Sequence, residues 1–180
     1  MTPRAWKTLA LGAVVIAAAG GFAASKGRSS SSISAPAHWG LYSSAKWNAV
    51  AADFARRGFA RDSVRVVTGT GLANGDAFAL LGARSSTGRT CLAVARGAAL
   101  GATICGIRKP LRVFSAPGRT IIGLVRRDVT ATMTSRGHES GIVVVPAGRG
   151  YAFNLTPVRP GDRLRARDAS GRVLAMITLG

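Results

Sequence analysis

The chain has 180 residues and a formal net charge of +18 at pH 7, from 25 Lys and Arg against 7 Asp and Glu. The two cysteines have no histidine near them in the sequence and so do not fill a tetrahedral zinc site, and no cofactor is expected. Aromatic residues make up only 6%, which with export (below) argues against nucleic acid, since charge alone does not distinguish one polyanion from another.

Arg4 and Lys7 precede an uncharged, mostly apolar run from Thr8 to Ser25, closed by Lys26 and Arg28. A short cationic segment followed by such a run predicts export. The run holds 18 residues, near the lower limit of about 17 for a membrane-spanning helix. Trp6 is placed where Trp meets lipid headgroups. Residues 1–28 are therefore expected to be a signal-anchor: a single pass through the cell membrane, N-terminus inside, with the C-terminal domain extracytoplasmic. The alternatives are a cleaved signal, cut before Lys26 with Ala23 and Ser25 as the small residues, and a buried helix of a soluble domain. No Cys follows the run, which excludes a lipid-modified N-terminal cysteine, and no Arg pair precedes it.

Residues 29–43, opening Ser-Ser-Ser-Ser-Ile-Ser-Ala-Pro-Ala, read as a flexible tether. An amphipathic helix is expected over 44–58. Ser43 or Ser44 can cap its first amides, and Trp47, Val50, Ala51 and Phe54 form a stripe at i, i+3, i+4 and i+7. Gly58 supplies the stop. The stripe is expected to pack on the following domain, or else to meet a membrane surface or partner.

From Ser63 onward the period changes. Short runs rich in Val, Ile, Thr and Leu are broken by Gly, Pro, Asn and Asp, which predicts strands near 63–68, 77–83, 90–95, 102–107, 111–114, 120–126, 129–134, 141–145, 151–155, 163–167 and 172–178. Thr130, Thr132 and Thr134 alternate with apolar residues, as Arg163, Arg165 and Arg167 do with Leu164 and Ala166. The turn Asp168-Ala169-Ser170-Gly171 predicts a hairpin into the last strand, and Pro117-Gly118 and Pro160-Gly161 mark further turns. The expected fold class is mainly β, an antiparallel β-sandwich or barrel over 59–180 with one N-proximal helix.

Cys91 and Cys105 are each expected in a strand, with Arg96–Gly101 as the hairpin loop between them. In an oxidising compartment they are expected to form a disulfide. The spacing offers no C-x-x-C redox motif.

Other candidates are weaker. The stretch Val66–Gly75 superficially resembles a dinucleotide-binding loop, but its spacing is G-x-G-x-x-x-G and no acidic residue lies about 20 positions on. His138-Glu139-Ser140 is expected in a turn, and adjacent residues do not make a catalytic triad. Paired carboxylates for glycoside hydrolysis would have to be assembled by folding. The basic stripe Arg163, Arg165 and Arg167, with Arg172 in the partner strand, is the best binding candidate, because guanidiniums meet phosphates through charge-assisted hydrogen bonds. Its bland counterpart is a solvated sheet face.

Three segments carry a family likeness: Gly88-Arg89-Thr90-Cys91-Leu92 with Cys105, Ile122-Gly123-Leu124-Val125-Arg126-Arg127-Asp128-Val129, and Ala166-Arg167-Asp168-Ala169-Ser170-Gly171-Arg172. On them, the stretch from about Asp76 to Gly180 resembles uncharacterised exported or membrane-anchored β-domain proteins of actinobacteria. The resemblance implies the compartment, the disulfide and the β fold, and no activity. The expected function is non-enzymatic binding at the cell envelope, of anionic polymers or lipids through the Arg-rich face. The alternative is an extracytoplasmic partner of another membrane protein, with a hydrolase a distant third.

Overall fold

A computed structural model describes residues 40–116 and 118–180. The expected anchor and most of the tether lie outside the described residues. Among the described residues no helix is long and apolar enough to cross a membrane.

Helix α1, Ser44–Arg56, forms where its stripe predicts. Ser43 caps it, its side chain accepting from the Lys46 amide at 3.4 Å, and Trp47, Val50, Ala51 and Phe54 are buried. Gly58 follows with φ +83°, the left-handed conformation that glycine adopts without a Cβ clash.

Twelve strands follow, in three antiparallel sheets of four. The first sheet is a meander of β1 (Arg65–Gly71), β2 (Ala77–Arg84), β3 (Thr90–Arg96) and β4 (Ala99–Ile104). The chain then lays down β5 (Leu111–Ala116), β6 (Thr120–Arg126), β7 (Thr130–Ser135), β8 (His138–Gly141), β9 (Val145–Ala147), β10 (Gly150–Leu155), β11 (Arg163–Arg167) and β12 (Val173–Thr178). These interleave as the second sheet, β5-β6-β10-β9, and the third, β12-β11-β7-β8. No sheet closes on itself, so the barrel alternative is not what forms.

Three apolar cores separate the layers. Trp47, Val50 and Phe54 of α1 pack on Ala79, Leu81 and Ala95 of the first sheet. The opposite face of that sheet, through Phe78, Leu80 and Leu92, meets Ile122, Leu124 and Ala152 of the second. The second sheet turns Ile121, Val125 and Phe153 to Ala131, Leu164 and Ala166 of the third. The first and second sheets are thus apolar on both faces, and β2 is buried along its length apart from its last residue. Continuous apolar strands such as Ala77–Ala83 belong to such two-sided layers. The alternating strands β7 and β11 belong to the outermost sheet, with one face in the core and one in solvent.

Two details hold the layers close. Gly123 lies opposite Phe153, and a Cβ on Gly123 would fall inside the phenyl ring. The Arg57 guanidinium donates to Gly101 O at 2.6 Å and Leu100 O at 3.1 Å, covering carbonyls of the edge strand β4.

Cys91 and Cys105 form the expected disulfide. Cys105 lies just past the end of β4 rather than inside a strand as predicted. The hairpin before it is tighter than expected: Arg96 pairs directly with Ala99, and Gly97 turns at φ +56°.

Candidate functional site

Strand β11 is an inner strand of the third sheet, between β12 and β7. Leu164 and Ala166 are fully buried. Strand alternation therefore sends Arg163, Arg165 and Arg167 to the opposite, outer face. Their partners across β7 are Thr134, Thr132 and Thr130. The predicted Arg stripe and Thr ladder are one surface.

Arg172 does not join it. The residue sits in the turn before β12, and Val173 takes the position opposite Arg167. Asp168 explains this: its Oδ1 accepts from the Arg172 amide at 3.0 Å and its Oδ2 from Arg172 Nε at 3.2 Å. The turn needs that arginine locally, so it is withheld from the stripe.

A second difference concerns His138-Glu139-Ser140, which forms strand β8 rather than a turn. Arg136 and Gly137 make the turn, with φ +51° and +83°, and Ser135 pairs with His138. Two successive positive φ values match the twist of a tight hairpin. The pairing carries Glu139 onto the outer face. Its Oε1 accepts from Thr132 Oγ1 at 2.6 Å, and it pairs with Arg165 and Arg167 at 3.3 Å each. The Thr132 hydrogen bond, then Arg167 and Arg165, hold the Glu139 carboxyl below the ordinary glutamate range. Arg167 Nη1 also donates to Gly171 O at 3.0 Å.

The Arg163 side chain has no hydrogen-bond or ion-pair partner among the described residues, although its backbone pairs with β7 and β12. It borders a recess of about 510 Å³ with Arg136, Arg159 and Asp162. Asp162 is buried, and its Oδ2 accepts from the Arg159 amide at 2.8 Å. A hydrogen bond from Ser135 is the first cause of its lowered pKa, followed by the Arg159 amide. The stripe thus presents three guanidiniums, two of them shared with one carboxylate.

Other acids are committed locally in the same way. Asp53 binds Arg56 and Arg57, Asp76 binds Lys46 at 2.7 Å, and Asp128 binds Arg126. The Lys46 hydrogen bond is the main reason that the Asp76 pKa is lowered. Among the described residues no group of three or more His, Cys, Asp and Glu converges as a metal site. The glycine-rich stretch at 66–75 is used structurally. Gly69 lies within β1, where a Cβ would come within 2.7 Å of Ala79 Cβ, and a turn into β2 follows in place of a helix.

Three further arginines were not singled out by the sequence. Arg89, Arg108 and Arg149 line one cleft of about 700 Å³. Arg89 and Arg149 directly follow glycines, Gly88 and Gly148, while Ile107 separates Arg108 from Gly106. A Gly–Arg pair in a turn is the signal that could have flagged the first two.

The chain matches no protein-family model, no curated protein and no solved structure.

Proposed function

We propose that the protein is a non-enzymatic binding domain of the cell envelope, held outside the cytoplasmic membrane by residues 8–25, that takes up anionic polymers on its basic surface. The observation that carries this reading is the imbalance of committed charge. Residues 29–180 hold 21 Lys and Arg against 7 Asp and Glu. Among the described residues, the cations in ion pairs are Lys46, Arg56, Arg57, Arg126, Arg165, Arg167 and Arg172, which leaves most of the described arginines outside any ion pair. A disulfide fits an oxidising compartment, where such bonds persist. The outer face of the third sheet offers its guanidiniums in a row at strand spacing, suited to successive charges along a chain.

The test compares the full-length protein with Arg163→Ser/Arg165→Ser/Arg167→Ser for binding to poly(glycerol phosphate). Loss of about tenfold in affinity is expected from three partly exposed cation contacts. Unchanged affinity in a variant with native circular dichroism would show that the stripe is the wrong face.

A second reading has its own observation. Val143 is 88% exposed, and Val173 and Met176 are exposed along the edge strand β12. Val143 lies past β8, the other edge of the sheet, and it is the edge of β12, with Val173 and Met176, that suits a protein partner. Crosslinking in membranes through β12, yielding one defined partner while polymer binding stays non-specific, would favour it.

A further inference from the structure

The cleft lined by Arg89, Arg108 and Arg149 lies on the opposite side of the second sheet from the stripe. It opens where the first and second sheets meet. Its walls are the β2–β3 turn with Thr87 to Thr90, the segment 104–108 after β4, and the β9–β10 turn at 147–149. Its base is Leu92, Ile104, Ile107 and Ala147, which belong to or pack against the core between those sheets.

Three features make this a built recess. Its three arginines come from three separate segments of the chain, so no single loop accounts for their lining one cleft. No carboxylate lines the cleft, and none of the three side chains has a hydrogen-bond or ion-pair partner among the described residues. Elsewhere, as at Asp53 and Glu139, acids are set beside arginines on the same surface. The volume of about 700 Å³ falls in the ordinary range for small-ligand sites. The disulfide bears on the shape, because Cys105 lines the cleft while Cys91 is buried in β3, so the bond fixes the wall that carries Arg108.

We infer that this cleft binds a phosphate ester of a small polyol, the repeating chemistry of an anionic envelope polymer. The phosphate sits against Arg89, Arg108 and Arg149, and the carbon skeleton lies over Leu92, Ile104 and Ile107. Guanidiniums suit this group because two parallel N–H donors match two phosphate oxygens. Thr87 and Thr90 add hydroxyls for the polyol. The inference rests on the polymer-binding reading and names its chemical unit, with the cleft taking a single unit and the stripe following the chain.

Titration of the full-length protein with monomeric glycerol phosphate, followed by calorimetry, tests it. Saturable binding at one site is expected, with inorganic phosphate competing. Arg89→Gln/Arg108→Gln/Arg149→Gln should weaken binding by about tenfold or more. Thr87→Glu, which places one carboxylate at the rim of an otherwise intact cleft, should weaken it as well and guards against a folding defect in the triple variant. Equal affinity in the wild type and both cleft variants overturns the inference, as does capture by anionic phospholipid vesicles with no binding of soluble glycerol phosphate. Poly(glycerol phosphate) binding by the wild type, without any monomer binding, would remove the cleft and keep the polymer reading. Absence of polymer binding altogether would remove both.

Discussion

Glu139 is set between Arg165 and Arg167, and on the proposed binding face its ionisation would govern how much of the stripe an incoming anion finds available. The Thr132 hydrogen bond and the two arginines lower its pKa, so it stays ionised to lower pH than an ordinary glutamate. In the unfolded chain that carboxyl titrates at its ordinary, higher value. Its contribution to stability is therefore present above the unfolded pKa and is lost as pH falls through the lowered folded pKa. Anion binding moves the opposite way, because protonation of Glu139 releases Arg165 and Arg167. Glu139→Gln should make that release permanent. Affinity for poly(glycerol phosphate) at neutral pH is expected to rise about two- to fivefold, the scale of one exposed ion pair. The wild type is expected to gain affinity on acidification through the same range, and this rise should flatten in the variant. A fall in affinity for the folded variant would mean that Glu139 organises the stripe instead of competing for it.

At the level of elements, the Cys91–Cys105 bond joins the buried strand β3 to the exposed wall after β4. Its sequence separation is 14 residues; closing a loop of that order stabilises a fold by about 3 kcal/mol in the chain-entropy model. Cys91→Ala/Cys105→Ala should lower unfolding stability in urea by that order and weaken monomer binding in the cleft, while the stripe keeps its polymer affinity. Equal loss at both surfaces would indicate global unfolding. The elements themselves were legible to different degrees. Helix α1 and strands β7 and β11 follow from local periodicity, since each has one apolar face. Ala77–Ala83 was legible as a strand, but its two-sided burial depends on layers contributed from distant parts of the chain. Strand β8 was missed because His138-Glu139-Ser140-Gly141 has no apolar face, and pairing with β7 through the Arg136-Gly137 turn places it. Arg89, Arg108 and Arg149 were missed for the same reason on a larger scale, since three turns meet only after two sheets have packed.

For the whole molecule, the sequence pattern and the layer order agree. Chain alternation between two sheets after β6 leaves the third sheet with a solvated outer face, and that face carries the Thr ladder and the Arg stripe. The cleft lies at the junction of the first and second sheets, apart from that face, so one polymer long enough to engage both surfaces would gain by effective concentration over either site alone. The central claim is that uncommitted positive charge on the folded domain is a binding device. The most direct measurement is the affinity of the full-length protein for poly(glycerol phosphate) across a range of salt concentrations, beside a neutral glycan of similar length. A steep, linear fall of log affinity with log salt, with no binding of the neutral glycan, is the expected result for contacts that displace counterions. Equal binding of both polymers, or an affinity that does not respond to salt, would contradict it.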